Sequence, residues 1–369
     1  MKKLLLILIL LTGFTTAHAQ TAEPRPFRMG FTPFPYDVTV EAIMYTYERL
    51  AEDADLTVQH FDNGVPWTEA LANQPYNQQL MEDWSWRRTL TPADQPLLVT
   101  VTPLAFLRDG LAAYHGATDN MPVPAPFDTY PLDHPDVITA YIQYCDTIIE
   151  YFQPDYFMFG IEVNLLMKTA PQLWDTYMVL HRAVYTHLKE RYPDLPAFVS
   201  LTGIDVAEGY TDANHADQLR VLNDLHDYTD LIGWSIYPYF TNYLTTALPL
   251  DLFDDLAALT DKPMAVTETG YPAQDFAINF AGIRLEFDTN PTKQALWMQY
   301  LLASAQEHEL EFVVNFVLRD YDAVWRWLGS REELEIAWRD TGLYDEDGGE
   351  RPALAIWREW FARPFAPAS

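Results

Sequence analysis

Two glutamates carry the strongest chemical signal in the chain. Glu162 ends the run Tyr156-Phe157-Met158-Phe159-Gly160-Ile161-Glu162, and Glu268 ends Met264-Ala265-Val266-Thr267-Glu268. A carboxylate that terminates an almost wholly apolar strand must have its desolvation offset by a partner or a function. A surface salt bridge explains one such residue. Two in the same setting suit paired-carboxylate chemistry, in which one group gives up a proton while the other stays ionised. Side chains alternate along a strand, so Met158, Gly160 and Glu162 are expected on one face, as are Met264, Val266 and Glu268.

Other ionisable and aromatic residues read more weakly. His60 lies inside an apolar run and reads as a structural hydrogen-bonder. His181 and His187 are six apart on one helix and do not share a face. Asp205 and Glu208 follow the fifth apolar run, where loop acids are ordinarily solvated. Asp62 and Asn63 precede Gly64, a pattern that fits hydroxyl binding or a plain turn. Trp325 and Trp327 follow the last strand-like run and suit flat binding platforms, whereas Trp67, Trp84 and Trp86 read at least as well as packing residues. No H-E-x-x-H, P-loop or G-x-S-x-G segment occurs, which counts against zinc peptidase, P-loop NTPase and serine-esterase readings. Cys145 is the sole cysteine, so neither an intramolecular disulfide nor a multi-thiolate metal site can form. No cofactor and no metal is expected.

Eight short runs must position these groups: 27–31, 56–61, 97–102, 156–162, 197–202, 231–237, 264–268 and 312–317. Between them lie segments with apolar spacings of three and four, including 137–152, 173–191, 216–225, 252–259 and 292–307. Alternating strands and helices imply a parallel sheet, and eight repeats fit a closed single-domain (β/α)8 barrel spanning 20–369. The Pro-rich stretch 121–135 reads as a long loop after the third strand. A doubly wound sheet is less suited, because no G-x-G-x-x-G follows the first strand.

The chain's 49% hydrophobic content excludes disorder as its main state, and a formal charge of −30 disfavours nucleic acid and anionic lipid as partners. Lys2 and Lys3 precede the apolar run 4–11, and Ala17-His18-Ala19 follows, so residues 1–19 read as a cleavable secretory signal. That run is too short to span a bilayer. A secreted or periplasmic protein without integral membrane association is expected.

Three segments of the second half share a further pattern: Thr267-Glu268-Thr269-Gly270-Tyr271-Pro272, Ser235-Ile236-Tyr237-Pro238-Tyr239-Phe240, and Thr341-Gly342-Leu343-Tyr344 leading to Arg351-Pro352-Ala353-Leu354. With Glu162 they resemble the retaining β-glycosidases built on (β/α)8 barrels, in particular endo-β-1,3-glucanases and endo-β-1,4-galactanases. The resemblance implies Glu268 as nucleophile, Glu162 as acid/base, and Tyr237 in contact with the nucleophile. It also implies a neutral β-linked polysaccharide or oligosaccharide as substrate, with β-1,3-glucan favoured and β-1,4-galactan next. In those families Asn precedes the acid/base and holds the sugar 2-hydroxyl; here that position is Ile161. Asn164 is the expected substitute. Asp62, Trp325 and Trp327 complete the expected sugar contacts. A noncatalytic secreted barrel that binds glycan is the alternative that the change at Ile161 leaves open.

Overall fold

Eight apolar runs form the staves of a closed barrel. The computed structural model describes residues 23–241, 248–280, 282–330 and 334–367; the expected leader, 1–19, lies outside them. The strands are β1 (Arg28–Phe31), β2 (Leu56–Phe61), β3 (Leu97–Val101), β4 (Tyr156–Met158), β5 (Ala197–Thr202), β6 (Ile232–Ile236) and β7 (Met264–Thr269). A hairpin of β8 (Phe276–Phe280) and β9 (Ile283–Phe287) intervenes before β10 (Phe312–Asn315). Neighbours pair in parallel in the order β1-β10-β7-β6-β5-β4-β3-β2, and pairing of Arg28 with Phe312 through Phe31 with Asn315 closes the ring. This is the single-domain (β/α)8 barrel that strand and helix alternation implies.

The strands are apolar on both faces because both are covered. One face points inward, where Leu56, Val58, Leu98, Phe198, Phe312 and Val314 fill the barrel. The other packs against helices through Val99, Val101, Leu201, Trp234, Ile236 and Val313. Gly233 keeps the interior from overfilling: a Cβ there would lie 2.6 Å from Thr267 Cγ2. The helices begin where their sequences call for it. Pro135 and Pro291 occupy first turns, and Asn290 and Asn214 accept backbone N–H groups of Lys293 and Ala216 as N-caps. Among described residues no helix is long and apolar enough to cross a membrane.

Three differences from simple alternation bear on the site. First, β4 ends at Met158 rather than at Glu162. Phe159 turns outward to stack on His181 at 4.9 Å, and Ile161 returns to the barrel interior beside Met158. Gly160 therefore does not share Met158's face; a Cβ on it would meet Val163 and Val199 side chains at 2.8 and 3.0 Å. Second, β7 carries a bulge. Trp234 pairs with Val266 but Ser235 pairs with Glu268, and on the other side Val313 pairs with Val266 while Asn315 pairs with Thr269. The extra residue lets Ala265 and Glu268 point inward while Val266 faces the helices. Third, the hairpin β8–β9 is inserted between β7 and the helix Pro291–Glu307. Phe276 stacks on Phe287 at 4.4 Å and also packs edge-on against Tyr239.

The chain ends lock the barrel's first repeat to its last. The helix Pro352–Phe361 places Trp357 against Phe31 at 4.5 Å, and its indole N–H donates to the Asp53 carbonyl at 2.7 Å. Arg358 and the Tyr344 hydroxyl both donate to the Asp53 carboxylate. Trp357 is fully buried, so Trp357→Ala is expected to lower unfolding stability by about 3–5 kcal/mol. Urea titration followed by circular dichroism measures this, and a loss below about 1 kcal/mol would show that the helix is not an integral part of the closure.

Candidate active site

Glu162 owes its direction to its backbone. Its φ and ψ of 49° and 42° lie in the left-handed region, which a non-glycine residue rarely occupies and which clusters at functional sites. The turn is held at both ends: the Glu162 N–H donates to Ser200 Oγ at 2.9 Å, and the Leu165 N–H donates to the Glu162 carbonyl at 3.1 Å. Ser235 Oγ, from β6, donates to Glu162 Oε1 at 2.6 Å. Ser235 is also the register partner of Glu268 on β7, so one residue links the positions of both glutamates. Tyr237, one residue beyond β6, donates its hydroxyl to Glu268 Oε1.

Both carboxylates line one cavity of about 910 Å³ at the C-terminal end of the strands, where barrel sites are built. Their environments differ. Burial, and then the charge of Glu162, push the Glu268 carboxyl up to about 8; the Tyr237 hydroxyl and Arg108 work in the opposite direction. Burial and the Glu268 charge keep the Tyr237 hydroxyl protonated far above the ordinary tyrosine range, so it remains a donor.

Arg108 is the site residue that the sequence does not announce. It sits at the tip of a tight loop after β3, closed by the Ala105 N–H to Gly110 carbonyl bond, and takes φ 53°. That turn sends its guanidinium inward, where it is almost fully buried. It forks onto Asp62 with contacts of 2.8 and 3.3 Å and lies 3.8 Å from Glu162 Oε2. Only the fold brings the loop after β3 to the end of β4, so no local spacing could have revealed it.

The remaining expected residues divide. Asp62 and Trp325 line the cavity, as expected. Asn164 does not. It is fully buried and donates to Thr202 Oγ1 and Gln218 Oε1 at 2.8 and 2.9 Å while accepting from the Thr202 N–H at 2.8 Å. Its amide braces the turn behind Glu162, both N–H donors are committed, and its full burial off the cavity keeps it from a sugar hydroxyl. Ile161 itself lines the cavity, so the place where the glucanases and galactanases carry an amide is apolar here. Trp327 is 67% exposed and off the cavity, because the short helix Asp322–Trp327 turns it away from Trp325.

His60 faces the cavity, edge-on to Phe34 at 5.5 Å, rather than serving only inside the wall. Burial lowers its pKa to about 4, reinforced by Arg108 and Arg87, so the ring is neutral near pH 7. Trp67 and Trp84 are core residues. Further aromatic lining comes from Phe240, Phe316, Tyr321 and Trp338, residues scattered over two loops that carry no common motif. Asp205 lines the cavity and Glu208 does not.

Among described residues one trio of acids, Asp320, Asp322 and Asp340, has carboxylate oxygens within 4.8 Å of one another. It lies off the cavity, and Arg351 and Arg339 bridge it: Arg351 donates to Asp320, and Arg339 lies 2.6 Å from Asp340. It reads as the ion-pair lock of the closing loop.

The shape of the molecule is shared with solved structures. A GH53 catalytic domain from Ignisphaera aggregans matches with TM-score 0.57 and 16% identity, over 86% of this chain and 88% of that one. A GH5_18 structure from Bifidobacterium longum subsp. longum matches with TM-score 0.62 and 14% identity, over 93% and 81%. The exo-beta-1,4-mannosidase Op5Man5 from Opitutaceae bacterium strain TAV5 matches with TM-score 0.62 and 13% identity, over 93% of this chain and 60% of that one. At these identities the likeness is one of fold. No family model matches the chain, and no curated protein matches it.

The raised Glu268 pKa makes a prediction about stability. In the unfolded chain this carboxyl titrates near 4.5 and in the folded protein near 8. Between those values the folded state keeps a proton that the unfolded state has lost, so stability falls as pH rises through the window. Glu268→Gln removes that penalty. The variant should melt within about 1 °C of the parent at pH 4.5 and roughly 2–4 °C above it near pH 8. Scanning calorimetry across the range checks this, and a difference that stays constant from pH 5 to 8 would contradict the buried-acid assignment.

Proposed function

We propose that the chain is a retaining glycoside hydrolase that cleaves β-glycosidic bonds of neutral sugars by double displacement. The observation that carries this reading is the pairing of Glu162 and Glu268 in one cavity, each with its own hydrogen-bond donor. Similar folds among glycosidases and the three sequence segments quoted above support it.

Glycoside cleavage needs a proton for the departing oxygen and a carboxylate on the opposite side of the anomeric carbon. Glu162 supplies the proton, and Glu268 attacks the anomeric carbon to form a covalent glycosyl-enzyme. Glu162 then takes a proton from the incoming water as the glycosyl–Glu268 bond breaks, giving overall retention. The Glu162 charge raises the Glu268 carboxyl, so proton loss at Glu268 is not independent of its partner. Burial leaves a proton on Glu268 below about pH 8, and the productive form is the one in which that proton has passed to Glu162. Tyr237 favours it by stabilising the Glu268 carboxylate, while Ser235 holds Glu162 in place.

The substrate, by resemblance, is a neutral β-linked polysaccharide or oligosaccharide, with β-1,3-glucan first and β-1,4-galactan next. The name of the mannosidase neighbour adds β-mannosides to the panel. The apolar stems of Tyr321, Trp325 and Trp338 suit the C–H faces of a sugar ring. Export through the leader at 1–19, to the periplasm or outside the cell, belongs to the same proposal. The second reading, a barrel that binds glycan without cutting it, is favoured by one observation: Ile161 leaves the cavity without the amide that would hold the 2-hydroxyl.

Purified protein assayed on β-glucosides, β-galactosides, β-mannosides, laminarin and galactan should release sugars with retained anomeric configuration, read by proton NMR. Glu268→Ala should lose at least about 10³-fold in kcat, and azide should restore turnover by giving a glycosyl azide of inverted configuration. Binding without release of reducing ends would favour the second reading. A further expectation concerns pH: kcat/KM should fall above about 8, where the pair sheds its last proton. A plateau continuing past pH 9.5 would contradict it.

A further inference from the structure

The cavity wall differs on its two sides. Around Glu268 it is aromatic, with Tyr237, Tyr321, Trp325 and Trp338. Around Glu162 its apolar part is mostly aliphatic. Leu165 lies one turn after Glu162, and Ile204 lies just past β5, whose Ser200 holds the Glu162 backbone. Phe106 and Leu107 directly precede Arg108, the residue whose guanidinium lies near Glu162. The Thr169 hydroxyl donates to the Arg108 carbonyl, which ties that loop to the segment carrying Leu165. The turn that sends Arg108 inward leaves Phe106 and Leu107 at the mouth, 69% and 64% exposed.

The polar groups nearest Ile204 are matched with one another. Asp205 accepts from Thr202, Thr211 and Lys168, and Lys168 also pairs with Asp212 at 3.1 Å. A second sugar would need unpaired donors and acceptors along its edges as well as a flat platform beneath it. An alkyl chain needs only apolar surface, and large apolar side chains left open to water beside a functional cavity mark a binding surface.

The acid that protonates the departing oxygen stands on the leaving-group side of the scissile bond. Resting on the glycosidase reading, we propose that this side of the cavity takes an apolar aglycone, and that the enzyme prefers β-glycosides of aliphatic alcohols to β-linked sugar chains. In the reaction the bond from the anomeric carbon to the aglycone oxygen breaks as the bond to Glu268 forms. The Glu162 proton passes to the aglycone oxygen, and a neutral alcohol leaves. Water then displaces Glu268 and returns a proton to Glu162.

The test is a series of alkyl β-glycosides, methyl to octyl, on each of the three sugars, held below micelle-forming concentrations. Hydrolysis by the parent chain should show kcat/KM rising about two- to fourfold per methylene until the wall is covered. In the Phe106→Ser/Leu107→Ser double variant the octyl-to-methyl ratio should collapse toward one, with an unchanged melting temperature confirming the fold. Calorimetric binding of the same series to Glu268→Gln gives a readout independent of turnover. Cleavage of β-linked oligosaccharides with a flat alkyl series would overturn the proposal and leave the glycosidase reading standing. Chain-length-dependent binding without turnover of any glycoside would uphold the apolar wall and reject the hydrolytic reading. Absence of both would reject both.

Discussion

The structure is organised around the repulsion between two carboxylates confined in one cavity of low dielectric. Neither Glu162 nor Glu268 could be carried there as an unsupported charge, since burial alone drives such a group to hold its proton. The protein answers by giving them unequal surroundings. Glu162 receives the Ser235 hydroxyl and lies 3.8 Å from the Arg108 guanidinium, whereas Glu268 receives the Tyr237 hydroxyl and feels Arg108 more weakly than it feels burial and the Glu162 charge. Asp62 in turn balances Arg108 through a bidentate pair, so the arginine does not add an unpaired buried charge of its own. The result is a cluster in which the charges of Glu162, Asp62 and Arg108 all act on Glu268.

The scaffold aims these side chains through deliberate departures from regular structure. A perfect β7 would have turned Glu268 toward the helices once Val266 faced them; the extra residue at the bulge reverses that. A perfect β4 would have run past Glu162, and instead it stops at Met158 and ends in a left-handed residue. Arg108 uses the same left-handed conformation at the tip of its loop. Irregular backbone of this kind is tolerated because the parallel barrel around it is uniformly packed, with Leu, Val and Phe filling the interior below the site.

The contents of the cavity follow from which loops meet above the barrel. Residues from the loops after β1, β2, β3, β6 and β10 supply Phe34, Asp62, Arg108, Phe240 and Trp338, none adjacent in sequence to either glutamate. Apolar Ile161 stands beside the acid, and Asn164 supports the turn from behind, its N–H donors committed to Thr202 and Gln218. The site therefore keeps the acidic pair while presenting a less polar wall than the motif resemblance implies. His60, neutral through burial, adds another apolar-faced ring to it.

The amino-acid sequence by itself determined the barrel and the two carboxylates. Apolar runs with helical segments between them can bury both sheet faces in only a few ways, and a strand-end glutamate is visible wherever a hydrophobic run stops at an acid. Tyr237 was legible too, because its Tyr-Pro pair is local. Tertiary structure alone decided the inward direction of Glu268, the partners of Asn164, the outward turn of Trp327 and the presence of Arg108. The physical reason is that a bulge shifts every later side chain by one face without leaving a mark in composition. A loop residue becomes part of a site only when strand closure brings its tip to another strand's end, which depends on the whole ring and not on any one segment.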